Sequence, residues 1–374
     1  MTFLARFVLV AALLAPVAAY GAPPPPPPPP SEADIDAARF EDWRARMDAQ
    51  AAEDDRLAKA LETAEGRSRA ARKARAEALK QKAETEKARR NAPPDAFLIR
   101  VQILLDRAHA SPGVIDGRDG DNLKKAVRAF RIMRAMPIEG GIDEPFWRAL
   151  SVDQGKATRV YELTREDVGG RYVGKPLPKD YAKLAKMKEI GFRDAAEMLA
   201  ERFHMDERFL KAMNPGADFG AAGARLLVAE TGAAPTGRAA RIVVDKKEGE
   251  LRAYDDTGKI LIAAPATIGS PDTPSPSGAM KVTKAFPNPH YIYDPKKNFQ
   301  QGKNRRRLVL PPGPNGPVGS MWIDLTKPTY GIHGTPEPSE ISKTSSHGCV
   351  RLTNWDAAEL GAIIAPNKTT VTFE

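Results

Sequence analysis

Apolar and polar positions divide the chain into stretches of different period. Leu98, Val101, Leu104 and Leu105 recur at helical spacing, and a second helix runs through Leu123, Ala126, Val127 and Phe130. After the turn Glu139-Gly140-Gly141 a short third helix ends near Leu150. Further on, Val160 to Leu163 reads as a strand, residues 195–203 and 206–213 as two helices, and Arg225 to Ala229 as a returning strand. Asn214-Pro215-Gly216 stops the second of those helices. From Ala239 onward the period becomes two. Residues 241–245 and 250–254 form a predicted hairpin, and 261–268, 280–284, 321–325, 331–334 and 369–373 are further strands. Only residues 354–365 of this last third look helical. The expectation is a multidomain protein. Its C-terminal domain is mainly β, a mixed sandwich or rolled sheet with one helix, behind an all-helical unit and a βααβ unit.

The N-terminal quarter is organised differently. Arg6 precedes an apolar stretch, Phe7 to Ala19, followed by small residues. This is the plan of a secretory signal peptide, expected over residues 1–21, and it is shorter than the ~20 residues of a membrane-crossing helix. An exported protein in the periplasm or cell envelope is therefore expected, with no transmembrane helix. Pro23 to Pro30 is an uninterrupted proline run, an extended spacer. Residues 31–90 are rich in Ala, Glu, Lys and Arg, acidic first and basic later. Phe40, Trp43, Met47, Leu57 and Leu61 give them only a thin apolar stripe, so 22–93 reads as a spacer and a solvated helical linker.

Charge and cysteine content narrow the chemistry. Lys and Arg number 57 against 48 Asp and Glu, a net charge of +9 in 374 residues, which suits an anionic polymer or surface without choosing one. No zinc-finger, helix-turn-helix or RNP pattern accompanies the charge, so nucleic acid is not expected as a partner. The one cysteine, Cys349, excludes an intramolecular disulfide and a Cys-based structural zinc site. The acidic loop around Asp116 and Asp119 is too short for an EF-hand and lacks its closing Glu, so no metal is expected there.

Cys349 sits in Ser345-Ser346-His347-Gly348-Cys349-Val350-Arg351, and His333 stands sixteen residues upstream in Tyr330-Gly-Ile-His-Gly334. A thiolate is the reactive form of cysteine, and an imidazole with a pKa of about 6.5 is suited to taking the thiol proton. Gly348 lets the backbone turn sharply and aim N–H groups at a developing oxyanion. Cys and His content alone leaves open a buried cysteine beside core histidines.

The complete string resembles the L,D-transpeptidase catalytic domain of bacterial cell-wall enzymes. An upstream His-Gly (His333-Gly334) and the signature Ser346-His347-Gly348-Cys349-Val350-Arg351 both stand intact, and the turn 273–278 and the segment 285–290 fit the same family. The resemblance spans residues 239–374. It implies Cys349 as nucleophile, His333 as general base and acid, the Gly334 carbonyl orienting the His333 ring, and backbone N–H groups of His347, Gly348 and Cys349 as oxyanion hole. Ser346 belongs to that loop. Arg351 would hold a substrate carboxylate, with a structural salt bridge as the competing role. The implied reaction is attack on a peptidoglycan stem peptide at the diaminopimelate–D-Ala bond, a thioester, and transfer to an amine of another stem, a D-amino acid or an envelope protein. No cofactor is implied, and the family is acylated by carbapenems. The alternatives are a carboxypeptidase or cross-link hydrolase, or a non-catalytic wall-binding scaffold.

Two further resemblances precede it. Residues 94–152, with Val101-Gln102, Leu105, Ile115-Asp116-Gly117 and Gly141-Ile142-Asp143, resemble a peptidoglycan-binding three-helix module, with Arg131 where that family carries Gln. Residues 157–231 are similar to a lysin-motif domain, whose family binds glycan strands, with a longer insertion between Asp167 and Gly191. His290 reads as a cleft or a loop residue. Lys296, Lys297, Lys303 and Arg305 to Arg307 read as the border of a groove or a solvated lid.

Overall fold

The computed structural model describes residues 28–374 apart from 65–67, 175, 270–272, 298, 345 and 347. The expected signal peptide and most of the proline run lie outside the described residues. In chain order the elements are α1 (Glu32–Ala37), α2 (Phe40–Thr63), α3 (Arg69–Asn91), α4 (Ala96–Arg107), α5 (Asp121–Met133), α6 (Glu144–Leu150), β1 (Thr158–Glu162), α7 (Arg165–Val168), α8 (Tyr181–Leu184), α9 (Ala195–Arg202), α10 (Glu207–Met213) and β2 (Arg225–Ala229). The C-terminal part adds β3 (Arg241–Asp245), β4 (Glu250–Tyr254), β5 (Ile260–Pro265), β6 (Gly278–Pro287), β7 (Tyr291–Tyr293), β8 (Leu308–Leu310), β9 (Met321–Leu325), β10 (Gly331–His333), β11 (Val350–Arg351), α11 (Asn354–Ile363) and β12 (Thr370–Phe373). No helix among the described residues is long and apolar enough to cross a membrane.

The charged N-terminal segment is not wholly solvated. Helices α2 and α3 pair, with Arg89 bound to Asp54 at 2.9 Å. Trp43 stacks on Phe97 at 5.1 Å between ring centroids, and Phe40 packs beside both. Ile35 is fully buried, worth about 1.5–3 kcal/mol. The thin stripe is enough because α4 offers apolar residues all round. Phe97, Leu98, Val101, Leu104 and Leu105 meet α5, α6 and the aromatic pair, while Ile99 and Ile103 join the core of the βααβ unit. A helix apolar on every face must be covered on every face. In the three-helix unit Gln102 Oε1 accepts from the Asp116 and Gly117 N–H groups at 3.0 and 2.8 Å, which fixes the acidic loop. Arg131 is buried and pairs with Asp143, the N-cap of α6.

The C-terminal part is an eight-stranded sheet in the order β11-β10-β9-β6-β12-β3-β4-β5, mostly antiparallel, with α11 against β9 and β10. Alternation along β3, β9 and β12 sends Ile242, Val244, Ile323, Leu325, Val371 and Phe373 into one core. The sheet curls. Thr267, just past β5, exchanges backbone hydrogen bonds with Arg351 of β11 at 3.0 and 2.9 Å, which ties its two edges together. The remaining edge of β5 is covered by the three-helix unit, since Ala263 donates to the His109 carbonyl and accepts from Ser111, both at 2.8 Å. Strands β7 and β8 form a separate two-stranded sheet, paired Tyr291 to Leu310. Neither they nor the two-residue β11 were expected from the sequence, because each is too short to show a period.

Candidate active site

Strands β10 and β11 run parallel, with Ile332 beside Val350 and His333 beside Arg351. Successive residues of a strand face opposite sides. Ile332 and Val350 take the core side. His333, Cys349 and Arg351 therefore share the other side, on strands about 4.8 Å apart. There they line one cleft of about 210 Å³, together with Trp322, Tyr291 and Tyr181.

His333 is 4% exposed. Its Nδ1 lies 2.7 Å from the Gly334 carbonyl oxygen. A carbonyl only accepts, so Nδ1 carries the hydrogen and Nε2 keeps its lone pair. Trp322 stacks on the imidazole at 5.6 Å and 20°. The indole is itself fixed, since its N–H donates to Asp324 Oδ1 at 3.2 Å, and Asp324 Oδ2 accepts from Thr283 at 2.7 Å. Burial pulls the His333 pKa down to about 4, against the pull of the Gly334 carbonyl and with a smaller push from Arg351. Burial pushes the Cys349 thiol up, offset in part by a backbone bond at Gly331 and by the Arg351 charge. At neutral pH the resting pair is a neutral thiol and a neutral imidazole. The thiol donates to the Thr329 carbonyl, 3.6 Å away.

The loop before Cys349 is held by hydroxyl groups. Ser346 Oγ donates to the Cys349 carbonyl at 2.5 Å and accepts from the Gly348 N–H at 3.1 Å. Gly348 has φ +106°, and a Cβ there would lie 2.9 Å from the Tyr330 ring, so only glycine fits. Ser275 Oγ donates to the Gly348 carbonyl at 2.8 Å and accepts from the Gly269 N–H at 3.0 Å, while Thr273 Oγ1 donates to the Ser346 carbonyl at 3.0 Å. The turn 273–278 is thus a clamp on the loop before Cys349.

A second clamp holds the backbone beside His333. Asn354 Oδ1 accepts from the Ser320 and Thr335 N–H groups at 3.0 and 3.1 Å, fixing the backbone beside Gly334. Asn354 Nδ2 donates to Glu201 of α9.

Cys349, His333, Ser346 and Arg351 thus line one cleft, with Gly334 and Gly348 flanking it. His347 lies outside the described residues. His290 is exposed and lines an adjoining groove with Phe286 and Arg307, not the cleft of Cys349. Lys297 borders both spaces, and Arg305 to Arg307 are exposed. Ser275, Thr273, Trp322, Asn354, Glu201 and Tyr181 were not singled out from the sequence. Two of them, Thr273 and Ser275, stand in the Thr-Pro-Ser-Pro-Ser-Gly string, which the sequence marks as a turn.

Residues 239–372 match the family model of the L,D-transpeptidase catalytic domain. A putative L,D-transpeptidase, YkuD of Bacillus licheniformis, is 30% identical over 188 residues, 50% of this chain and 98% of that protein. The probable L,D-transpeptidase YbiS of Escherichia coli is 28% identical over 192 residues, 48% of this chain and 62% of that protein. A solved L,D-transpeptidase from Mycobacterium smegmatis has 17% identity and a TM-score of 0.31, covering 42% of this chain and 76% of that one. With nearly the whole of the Bacillus licheniformis protein matched at 30% identity, this chain belongs to the L,D-transpeptidase family.

Proposed function

We propose that the protein is an exported peptidoglycan L,D-transpeptidase working through a Cys349 thioester. The observation that carries this is the His333 tautomer. With Nδ1–H committed to the Gly334 carbonyl at 2.7 Å, Nε2 is the base on the cleft side shared with Cys349. On attack the thiol proton passes to Nε2 while sulfur bonds to the carbonyl carbon of the third stem residue. The oxyanion is met by the Cys349 and Gly348 N–H groups, with that of His347 before them. Gly348 gives up Ser346 Oγ for this stronger, charge-assisted bond. The imidazolium then returns its proton to the departing amine of D-Ala. An incoming amine, losing a proton to Nε2, displaces the thiolate, which is reprotonated. Arg351 is the partner for a donor carboxylate.

The three-helix and βααβ units are the parts we assign to holding the wall and its glycan strands, raising the enzyme's local concentration near its substrate. Mass analysis of muropeptides tests the reading. Wild-type protein should produce stems lacking the fourth D-Ala and joined through two diaminopimelate residues, and Cys349→Ala should produce neither. Free tripeptide stems without joined products would make the protein a carboxypeptidase instead.

A further inference from the structure

The insertion that sets the βααβ unit apart reaches the cleft. Within residues 176–191, Asp180 caps α8, accepting from the Ala182 N–H at 2.9 Å. The same carboxyl accepts from Asn304 Nδ2 at 2.8 Å. The Tyr181 N–H donates to Gln301 Oε1 at 3.2 Å, and Gln301 Nε2 donates to the Lys179 carbonyl at 2.9 Å. At the far end Ile190 donates to the Pro312 carbonyl at 2.8 Å and accepts from the Asn315 N–H at 3.1 Å. Gly313, at φ +142°, passes so close that a Cβ would sit 2.2 Å from the Ile190 oxygen. Between these ends Leu184 and Ile190 share a small core with Tyr293 and Leu310 of the β7–β8 hairpin. The insertion and the hairpin are thus packed as one body.

That body places Tyr181 in the cleft that holds Arg351 and Cys349. Its ring meets Tyr293 at 5.3 Å, Tyr291 at 6.0 Å and Phe299 at 6.2 Å, each near-perpendicular. The Arg351 end of the cleft is thus an aromatic wall carrying phenols beside a guanidinium. Burial pushes the Tyr181 phenol up to about 12, so it remains an O–H donor at neutral pH. A guanidinium fork and an O–H donor lining one cleft suit a carboxylate on a flexible stem.

We propose that Tyr181 is a specificity-determining residue, contributed by the N-terminal βααβ unit, that binds the side-chain carboxylate of the donor peptide together with Arg351. The proposal rests on the transpeptidase reading for the identity of the donor. The inserted segment is therefore a wall of the active site, which accounts for its length.

The test is calorimetric binding of a tripeptide stem ending in diaminopimelate to the Cys349→Ala protein, compared with the same peptide carrying an amide in place of the side-chain carboxylate. Tyr181→Phe, which keeps the ring and its packing, should weaken the acid peptide about tenfold and leave the amide within about twofold. Tyr181→Ala should weaken the acid peptide further. Equal weakening of both peptides by Tyr181→Phe, no change in either, or no binding of the acid peptide at all would overturn the assignment. Turnover is read separately on the Cys349 protein. Tyr181-dependent binding without release of D-Ala would leave this assignment standing and refute the transpeptidase reading instead.

Discussion

Asn354 Nδ2 donates to both carboxyl oxygens of Glu201, at 3.1 and 2.9 Å, across 153 residues of sequence. The other end of the same amide holds the Ser320 and Thr335 N–H groups, so a helix of the βααβ unit is joined through one side chain to the backbone that aims His333. Asn354→Ala orphans two backbone donors, at about 1–3 kcal/mol each. It should lower the melting temperature and reduce acylation of Cys349 by about tenfold or more. Glu201→Gln keeps one hydrogen bond to Asn354 and should cost less on both measures. Full acylation at wild-type rate in a folded Asn354→Ala protein would show that the His333 loop holds itself.

The neutral resting pair has a kinetic signature. With the His333 pKa near 4 and the thiol pushed up by burial, the imidazole stays neutral down to about pH 5 and the thiolate is scarce at pH 7. Iodoacetamide should therefore alkylate Cys349 slowly at pH 7 and faster as pH rises past 9, while a carbapenem acylates it at pH 6 with His333 as base. His333→Ala should cut carbapenem acylation by ~10²–10⁴-fold and leave alkylation at high pH nearly unchanged. Intact-protein mass spectrometry reads both. Rapid alkylation at pH 6 would mean a thiolate–imidazolium pair and contradict the assignment.

What was legible in the sequence was what the chain keeps local. Cys349, Arg351 and the Gly348 turn stand in one string, and His333 stands on the neighbouring strand, so their chemistry shows at short spacing. The strands β4, β9 and β12 showed because each carries at least four residues of clear alternation, and β3 because its β-branched run Ile242-Val243-Val244 is bounded by charged residues. The supports did not show. Ser275 acts on Gly348 from 73 residues away, and Asn354 meets Glu201 from another unit. An Asn at the start of a helix reads as a terminus residue, and a Tyr in a Lys-rich insertion reads as surface. The few aromatics of the charged N-terminal segment read as too thin for a core because their partner, Phe97, lies on a helix whose all-round apolarity was read as a single stripe.

Ser275 gives a prediction about the nucleophile loop alone. Its hydroxyl bridges the Gly269 N–H and the Gly348 carbonyl, and it is 7% exposed. Ser275→Ala leaves both backbone groups without that partner, at about 1–3 kcal/mol in total if water reaches one of them. Acylation should fall several-fold because Gly348 and the Cys349 N–H lose their fixed aim. Ser275→Thr, which keeps the hydroxyl, should recover most of the rate. Equal rates in all three proteins would assign the loop's shape to Ser346 and Thr273 alone.

Stability should fall as pH rises through neutrality. Burial raises Glu201 and Glu359 from 4.5 to about 8, and Glu250 from 4.5 and Asp356 from 3.8 to about 7. A carboxyl whose folded pKa lies above its unfolded value binds more protons folded than unfolded. Its contribution is complete below the unfolded pKa and is lost as pH climbs to the folded one. His204 is raised as well, its burial outweighed by Asp106, and has the same sign. His333 and His109, lowered chiefly by burial, run the other way, but only below their ordinary 6.5. Between pH 6.5 and 8 the raised groups act unopposed by them, so the melting temperature should drop across that window and level off above it. Glu201→Gln removes one titrating group and should make the drop shallower. Calorimetric scans at pH 6.5, 7.2, 8 and 9 check it. A melting temperature that rises from 6.5 to 8 would mean that these carboxyls are already ionised in the folded protein near pH 6.5, and a Glu201→Gln slope equal to wild type would mean the same of Glu201 alone.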